Sequence, residues 1–210
     1  MATPESPYGP STAENVAGSK PVRLPRLLAA KAEGTRLTMI TAYDGLTAAI
    51  FDQAGMDMIL VGDSIGNVML GHGSTLPVSL DEMVVATRGV ASAVERAFVI
   101  ADLPFGTYEA SPEQALASAV RLVKAGANAV KLEGGRSRVD AIRTLTDAGI
   151  PVMGHLGFTP QSVNALGGFR VQGRGEEGEK LLADALAIEE AGVMGMVLEM
   201  APEPVSYTHL

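Results

Sequence analysis

Charged side chains end several short apolar runs of this 210-residue sequence. In segment 59–66, which reads I-L-V-G-D-S-I-G, three apolar residues and a glycine lead to Asp63 and Ser64. Carboxylate-rich clusters suit Mg²⁺, which prefers oxygen ligands, whereas zinc is disfavoured because the chain has no cysteine. The residues found at the ends of the apolar runs are Tyr43, Asp44, Asp63, Ser64, Asp102, Lys131, Glu133, His155 and Glu199.

Each of these residues also has an ordinary structural explanation. Asp63 and Asp102 could be turn residues that follow a strand. Lys131 and Glu133 lie two apart, so they share one face of a strand and could form an ion pair. His155 could be a hydrogen-bonded structural histidine. The recurrence of polar residues at successive run ends, rather than any single residue, indicates a shared site.

Two further segments leave alternatives open. Glu199 lies in the run M-G-M-V-L-E-M, where an unpaired carboxylate would be costly to bury. Glu199 is therefore paired, neutral or part of a site. Segment 167–174, G-G-F-R-V-Q-G-R, is a loop that could close over a site, contact an anion or simply cover the surface.

The apolar runs alternate with helical stretches, and an Ala-Gly pair precedes four of the runs. Glycine there suits the left-handed residue that ends a helix. Segment 111–114, S-P-E-Q, has the capping serine and the proline of a helix start, and segment 159–161, T-P-Q, resembles it. Continuously apolar strands are typical of a parallel sheet buried on both faces. The predicted strands are Leu37–Tyr43, Met58–Asp63, Ala97–Asp102, Ala129–Glu133, Ile150–His155 and Met194–Glu199.

Strand–helix units in series predict an α/β fold, either a doubly wound sheet or a (β/α) barrel. The G-H-G at 71–73 is no dinucleotide fingerprint, because no strand leads into it and no helix follows, so the barrel is favoured. A barrel needs eight strands over about 250 residues, and only six are counted here. The chain is therefore either a different open fold or a fragment of a barrel. In both folds the active site lies at the carboxyl ends of the strands, where the polar residues converge.

Composition excludes several classes of function. The net charge of −8 argues against a nucleic acid or an anionic membrane as partner, because both require a basic surface. Without cysteine the chain has no disulfide or thiolate chemistry, which fits a reducing compartment. No apolar run approaches the roughly 20 residues that cross a bilayer, and a signal-peptide segment is lacking. We therefore expect a cytoplasmic protein with no membrane or nucleic-acid partner. Residues 1–21, rich in Pro, Ser and Gly, are predicted to be a mobile arm.

Eight short motifs run in order across residues 37–204. They are I-T-A-Y-D (40–44), L-V-G-D-S (60–64), S-T-L-P-V (74–78), A-D-L-P-F (101–105), V-K-L-E-G-G (130–135), G-H-L-G-F-T-P-Q-S-V-N (154–164), G-G-F-R-V-Q-G-R-G (167–175) and V-L-E-M (197–200). In these motifs the sequence resembles the ketopantoate hydroxymethyltransferase (3-methyl-2-oxobutanoate hydroxymethyltransferase) family of the pantothenate pathway. The resemblance implies a (β/α)₈ TIM barrel, Mg²⁺, 5,10-methylenetetrahydrofolate as one-carbon donor and 3-methyl-2-oxobutanoate as acceptor. The product is 2-dehydropantoate, and the family forms homo-oligomers.

The resemblance also implies roles for the residues at the run ends. Asp63 and Asp102 would bind Mg²⁺ directly, and Glu133 would reach the ion through water. Glu199 would be the general base that removes a proton from the branched carbon next to the keto group. The residues implied to lie around the 2-oxo acid are Asp63, Ser64, Asp102, Lys131 and His155.

The sequence departs from the family after the sixth strand, where family members continue through two more strands. The last five residues, S-Y-T-H-L (206–210), do not resemble the family. We therefore expect a barrel truncated after its sixth strand, with residues 22–210 forming a single domain incomplete at its C-terminus. Two other functions stay open. One is a folate-independent, Mg²⁺-dependent 2-oxo-acid lyase or mutase of the isocitrate lyase type, and the other is a non-catalytic fragment.

Overall fold

The structure is a computed structural model that describes residues 20–202. The predicted mobile arm lies outside these residues except for its last two positions, and segment 206–210 lies wholly outside them. The strands are β1 (Met39–Thr41), β2 (Met58–Val61), β3 (Phe98–Asp102), β4 (Ala129–Glu133), β5 (Val152–Gly157) and β6 (Gly195–Glu199). The helices are α1 (Leu24–Glu33), α2 (Gly45–Gln53), α3 (Ile65–Val68), α4 (Leu80–Ala93), α5 (Pro112–Ala125), α6 (Val139–Asp147), α7 (Val163–Leu166) and α8 (Glu176–Glu190).

The six strands form one parallel sheet in the order β1-β2-β3-β4-β5-β6. Each strand therefore pairs with its neighbours in the chain, as in a (β/α) barrel, whereas a doubly wound sheet reverses its strand order. The described residues form a half-barrel with helices on its outer side. The predicted α/β barrel fold and all six predicted strands are confirmed, with ends that shift by up to two residues.

Alternate residues of each strand point to opposite faces of the sheet, and each face has its own core. The outer face packs against the helices through residues such as Ile59, Val99 and Leu132. The inner face carries Phe98 and Ile100, and its other buried members are Leu27, Ala129 and Met153. Because Leu27 belongs to α1, this first helix covers the inner face.

The two edge strands differ from the expectation that every strand is buried on both faces. All five residues of β6 are partly exposed, and Met39 of β1 is 38% exposed. Strands β3 and β4, in contrast, are buried throughout. The expectation was wrong for β1 and β6 because each pairs with only one strand among the described residues.

The predicted helix ends are largely confirmed. Ser111 accepts a hydrogen bond from the main-chain N–H of Gln114 and begins α5. The second predicted start, at Thr159, leads only to a 3₁₀ turn at Pro160–Ser162 and then to the single turn of α7, with no side-chain cap. The four Ala-Gly glycines adopt the left-handed conformation, with φ values of 89°, 116°, 80° and 98° at Gly55, Gly126, Gly149 and Gly192.

A buried aspartate in α2 fixes the chain ahead of β3. Asp52 is 6% exposed, and its carboxylate accepts hydrogen bonds from the main-chain N–H groups of Glu95, Arg96 and Ala97. These three bonds satisfy the buried charge without a cation. Among the described helices, none is long and apolar enough to cross a membrane.

Candidate functional site

Strand register brings the predicted site residues into contact at the carboxyl end of the sheet. On the inner face, the row Phe98 and Ile100 of β3 continues to Asp102, and the row that begins at Ala129 of β4 continues to Lys131 and Glu133. Register pairs Asp102 with Lys131 and, one strand further, Glu133 with His155. Neighbouring strands are about 4.8 Å apart, so side chains paired in this way touch. The inner core thus ends in a polar layer.

Asp63 and Asp102 lie side by side in this layer. Asp63 follows the end of β2 by two residues, and its main-chain N–H donates to Asp102 Oδ2 at 3.0 Å. The two residues are 4% and 3% exposed. Burial, and then the neighbouring carboxylate of Asp102, raise the pKa of Asp63 to about 7. These aspartates are therefore more than turn formers, because a turn residue keeps its carboxylate in water.

Lys131 is the buried cation of the site. Its Nζ lies 3.1 Å from Asp102 Oδ1 and 3.3 Å from His155 Nδ1. Burial lowers the pKa of Lys131, but the carboxylates of Asp102, Glu133 and Asp63 outweigh burial and the net shift is upward. The simple ion pair with Glu133 that the sequence allowed is replaced by an ion pair with Asp102, because register sets Asp102 opposite Lys131.

His155 lies between two glutamates. It stands inside β5 rather than at the end of the strand, with Nδ1 3.4 Å from Glu133 Oε1 and Nε2 3.3 Å from Glu199 Oε2. Burial lowers the pKa of His155, whereas the adjacent carboxylates of Glu133 and Glu199 raise it, and the net shift is upward. Of the options left open for Glu199, the structure shows a partner, His155, and its side chain is 41% exposed rather than buried.

Two residues that carried no prediction complete this cluster. The Gln161 side chain donates to Asp63 Oδ2 at 2.7 Å, and its main-chain N–H donates to Glu133 Oε2 at 3.0 Å. Tyr108 is hydrogen-bonded to Gln161 Oε1 at 2.5 Å and accepts from the Glu133 N–H at 3.2 Å. Gln161 was part of a quoted motif, but nothing in its type or local pattern indicates that it faces an aspartate 98 positions away.

Tyr43 and Asp44 have different roles: Tyr43 lies at the edge of the site, whereas Asp44 caps a helix. The Tyr43 hydroxyl lies 2.9 Å from Ser64 Oγ, which brings Tyr43 to the edge of the site beside a predicted substrate contact. Asp44 instead begins α2, and its carboxylate accepts from the N–H and the hydroxyl of Thr47 at 2.9 and 2.8 Å. Asp44 is therefore a helix cap, a role that aspartate fills well.

The loop at 167–174 lies beside the end of β6. Phe169 contacts Phe158, which follows β5, with ring centroids 4.8 Å apart. The main-chain N–H of Gln172 donates to Met200 O, one residue after Glu199. Arg170 and other side chains of the loop are exposed. The loop thus borders the site next to Glu199, while its role as a lid or an anion contact stays a prediction.

The carboxylates of this cluster are candidate ligands of a cation. In residues 20–202 no three His, Asp or Glu side chains stand in a metal-binding arrangement. The donor set nevertheless fits Mg²⁺. Asp102 Oδ1 is buried and no donor points at it with hydrogen-bond geometry, although Lys131 Nζ is 3.1 Å away. Several carboxylates around one ammonium leave an excess of negative charge that a divalent cation would offset.

Comparison with known proteins identifies a family. The family profile described as ketopantoate hydroxymethyltransferase matches residues 21–208. The 3-methyl-2-oxobutanoate hydroxymethyltransferase of Leifsonia xyli is 55% identical over 201 residues, which cover 95% of this chain and 73% of that protein. The enzyme of the same name from Rhodococcus jostii is 54% identical, with 95% and 69% covered, and that from Thermobifida fusca is 59% identical, with 85% and 65% covered.

Solved structures share the fold at low sequence identity. Phosphonopyruvate hydrolase, solved in complex with oxalate and Mg²⁺, superposes with a TM-score of 0.65 at 19% identity, covering 84% of this chain and 62% of that one. For 2,3-dimethylmalate lyase, a member of the PEP mutase/isocitrate lyase superfamily, the TM-score is 0.59 at 19% identity, with 84% and 63% covered. The chain thus spans less than two thirds of these structures. The profile match and these relatives show that the chain belongs to the ketopantoate hydroxymethyltransferase family.

Proposed function

We propose that this chain catalyses the Mg²⁺-dependent transfer of a hydroxymethyl group from 5,10-methylenetetrahydrofolate to 3-methyl-2-oxobutanoate, which yields 2-dehydropantoate. The observation that carries the proposal is the continuous line of contacts from Asp102 through Lys131 and His155 to Glu199. This line joins the proposed metal carboxylates to the proposed base. The proposed contacts of the 2-oxo acid and the proposed base therefore lie side by side.

The cation would be held by Asp63 and Asp102, with Glu133 reaching it through water. When bound, Mg²⁺ would draw electron density from the carboxylate and keto oxygens of the 2-oxo acid and so acidify the neighbouring C–H bond. Asp102 ends β3, and Asp63 lies in the turn that follows the adjacent strand β2, where its main-chain N–H bond to Asp102 Oδ2 fixes their spacing. The rigid end of β3 is better suited than a loop to hold such a pair.

Lys131 and Ser64 are the proposed contacts of the substrate. The Lys131 ammonium is buried and its pKa is raised, so it stays protonated and stabilises negative charge on the substrate oxygens. Ser64 is held by the Tyr43 hydroxyl, which orients its Oγ at the edge of the site. Each of these side chains is thus positioned by a partner before the substrate arrives.

Glu199 is the proposed general base. Its carboxylate takes the proton from the branched carbon next to the keto group as that C–H bond breaks. One water hydrolyses the two C–N bonds of the folate methylene group and so releases tetrahydrofolate and formaldehyde. The enolate attacks the carbonyl carbon of the formaldehyde, and the resulting alkoxide takes up the proton that Glu199 removed, which gives the hydroxymethyl group of the product. His155, held by Glu133 on its other side, orients the Glu199 carboxylate. Partial exposure of Glu199 leaves room for a substrate to approach it.

A transfer assay tests this proposal and separates it from the alternatives. The chain is incubated with 3-methyl-2-oxobutanoate, 5,10-methylenetetrahydrofolate and Mg²⁺, and 2-dehydropantoate and tetrahydrofolate are quantified. We expect product only when all three components are present. Cleavage of a 2-hydroxy acid without folate would instead identify a lyase. Mg²⁺-dependent binding of the oxo acid in calorimetry, without product, would identify a non-catalytic fragment.

The relatives favour the transferase over the lyase. Proteins named as hydroxymethyltransferases are 54–55% identical to this chain over about 200 residues, whereas the lyase and hydrolase structures are 19% identical and share the fold alone. A homo-oligomeric state and a cytoplasmic location stay predictions.

A further inference from the structure

A glutamine and a tyrosine lie behind the proposed metal carboxylates and belong to none of the roles assigned so far. Gln161 stands in the 3₁₀ turn after β5 and is 6% exposed, and Tyr108 stands in the loop after β3 and is 3% exposed. Together they contact the carboxylates of two other strands, Asp63 after β2 and Glu133 at the end of β4. The two loops therefore meet under the site.

The hydrogen bonds form a chain in which Glu133 donates to Tyr108, Tyr108 to Gln161, and Gln161 to Asp63. The Glu133 main-chain N–H donates to the Tyr108 oxygen at 3.2 Å, so the tyrosine proton is free to donate elsewhere. Gln161 Oε1 lies 2.5 Å from that hydroxyl, whereas the competing acceptor, Glu133 O, lies at 3.5 Å. The hydroxyl therefore donates to Gln161. A tyrosine hydroxyl keeps its proton at neutral pH, so this donor is available.

The same contacts fix which way the Gln161 amide points. Its Nε2 donates to Asp63 Oδ2 at 2.7 Å and to Leu103 O at 3.0 Å, and both partners are acceptors. A flipped amide would set Oε1 against these two oxygens, which would be repulsive, and would lose the hydrogen bond that Oε1 accepts from Tyr108. Tyr108 thus locks the amide, and the amide locks one oxygen of Asp63.

We infer that Gln161, held in place by Tyr108, is a positioning residue that orients the Asp63 carboxylate toward the cation. The inference rests on the proposed Mg²⁺ site. It assigns Gln161 Nε2 to Asp63 Oδ2 and leaves the other carboxylate oxygen to the ion. The main-chain N–H of Gln161 donates in the same way to Glu133 Oε2, and this bond does not depend on the side chain. Partners of this kind commonly change metal affinity by about 10–100-fold.

The test measures Mn²⁺ binding, which reports on an oxygen-ligand site without requiring turnover. The 210-residue chain is titrated with Mn²⁺, and the free ion is followed by electron paramagnetic resonance for wild type, Gln161→Met and Tyr108→Phe. Methionine keeps the length of glutamine but removes both polar atoms. Gln53→Met, at an exposed position at the end of α2, is the matched control.

We expect Gln161→Met to weaken Mn²⁺ binding by about 10-fold or more and to change the spectrum of the bound ion. Tyr108→Phe should weaken binding less, and the double variant should lose less than the product of the two single losses, because Tyr108 acts on Asp63 through Gln161. Gln53→Met should bind as wild type does. Circular dichroism gives the folded fraction to which each affinity is referred.

Two results would overturn the inference in distinguishable ways. If wild type binds Mn²⁺ and the folded fractions of Gln161→Met and Tyr108→Phe bind it equally well, the residues are structural and the metal site stands. If wild type binds no Mn²⁺, the metal part of the proposed function fails, and the positioning role fails with it. If Gln161→Met does not fold, Tyr108→Phe, which removes a single oxygen, decides between these results.

Discussion

Replacing Lys131 with methionine is expected to destabilise the protein strongly and in a metal-dependent way. The substitution keeps most of the side-chain volume but removes the ammonium that pairs with Asp102. The side chains of Lys131 and Asp102 are 5% and 4% exposed, so water does not replace the lost partner. The variant therefore leaves Asp63, Asp102 and Glu133 buried together without the lysine ammonium.

The size of the loss follows from the geometry of the pair. At the observed 3.1 Å and an effective dielectric constant of about 20, the Coulomb attraction is about 5 kcal/mol. Removing one partner of a buried pair costs about 3–5 kcal/mol, because the remaining charge stays desolvated. We expect the free energy of unfolding to fall by an amount in this range. Mg²⁺ should then restore part of this free energy, since the unpaired carboxylate of Asp102 attracts the cation more strongly than in wild type.

Urea unfolding with a chelator, and again with excess Mg²⁺, measures both effects. A cation at 100 times its dissociation constant adds about 2.7 kcal/mol to the free energy of unfolding. The gap between Lys131→Met and wild type should therefore shrink when Mg²⁺ is added. Lys180→Met is the control, because Lys180 pairs with Glu177 at 2.7 Å on an exposed stretch of α8 and should change stability by less than about 1 kcal/mol.

Two results would refute this reasoning. A loss for Lys131→Met no larger than that for Lys180→Met would mean that the buried carboxylates do not need a cation. A gap that stays the same or widens with Mg²⁺ would mean that the ion does not bind next to Asp102. Either result would separate the ion pair from the metal site.

Two further predictions concern the backbone beside the base and a surface cluster. Gly157→Ala should lower the free energy of unfolding by at least about 1–2 kcal/mol and reduce turnover, because Gly157 has φ +86° and a Cβ there would lie 2.1 Å from Glu199 O. Gly167→Ala is the control, since Gly167 has φ +69° but nothing within 4 Å, so this variant should show the backbone strain alone and retain turnover. Equal turnover in both variants would contradict the clash with Glu199 O. Asp57→Asn should lower stability by about 1–2 kcal/mol at pH 7, since Asp57 accepts from Thr38 and Arg96. Burial opposes these bonds, but the net pKa of Asp57 is lowered, so the stabilisation is present above its unfolded pKa and lost as pH falls through the folded value. Thermal unfolding at pH 7 and pH 3 should show the difference between Asp57→Asn and wild type shrinking in acid, and a difference independent of pH would contradict it.

Local patterns were sufficient to predict the frame of the site. The local sequence shows where each apolar strand ends and which residues share one face of it, and parallel strands bring their ends together. Asp102, Lys131 and Glu133 could therefore be predicted as neighbours. The left-handed glycines and the Ser111 cap follow from backbone sterics within a few residues. The predictions of Mg²⁺, folate and the reaction rest on the family resemblance, because the spacing of residues does not identify a substrate.

Contacts between distant parts of the chain could not be predicted in this way. Gln161 meets Tyr108 and Asp63 across 53 and 98 positions, and glutamine and tyrosine occur too widely to mark a site. The apolar run of β6 predicts a buried strand, but β6 is partly exposed, because an apolar run does not show whether a strand lies at the edge of a sheet. Asp44 was placed among the site candidates although its helix-capping role is local, and Thr47 three residues later was the signal for it.

Exchange of the substrate proton tests the central claim most directly. The proton on the branched carbon of 3-methyl-2-oxobutanoate is followed by NMR in D₂O with Mg²⁺ and the chain, without folate. We expect exchange by wild type and by Glu190→Gln, an exposed control at the end of α8, and a loss of about 100-fold or more in Glu199→Gln. Undiminished exchange by Glu199→Gln would contradict the assignment of Glu199 as the base.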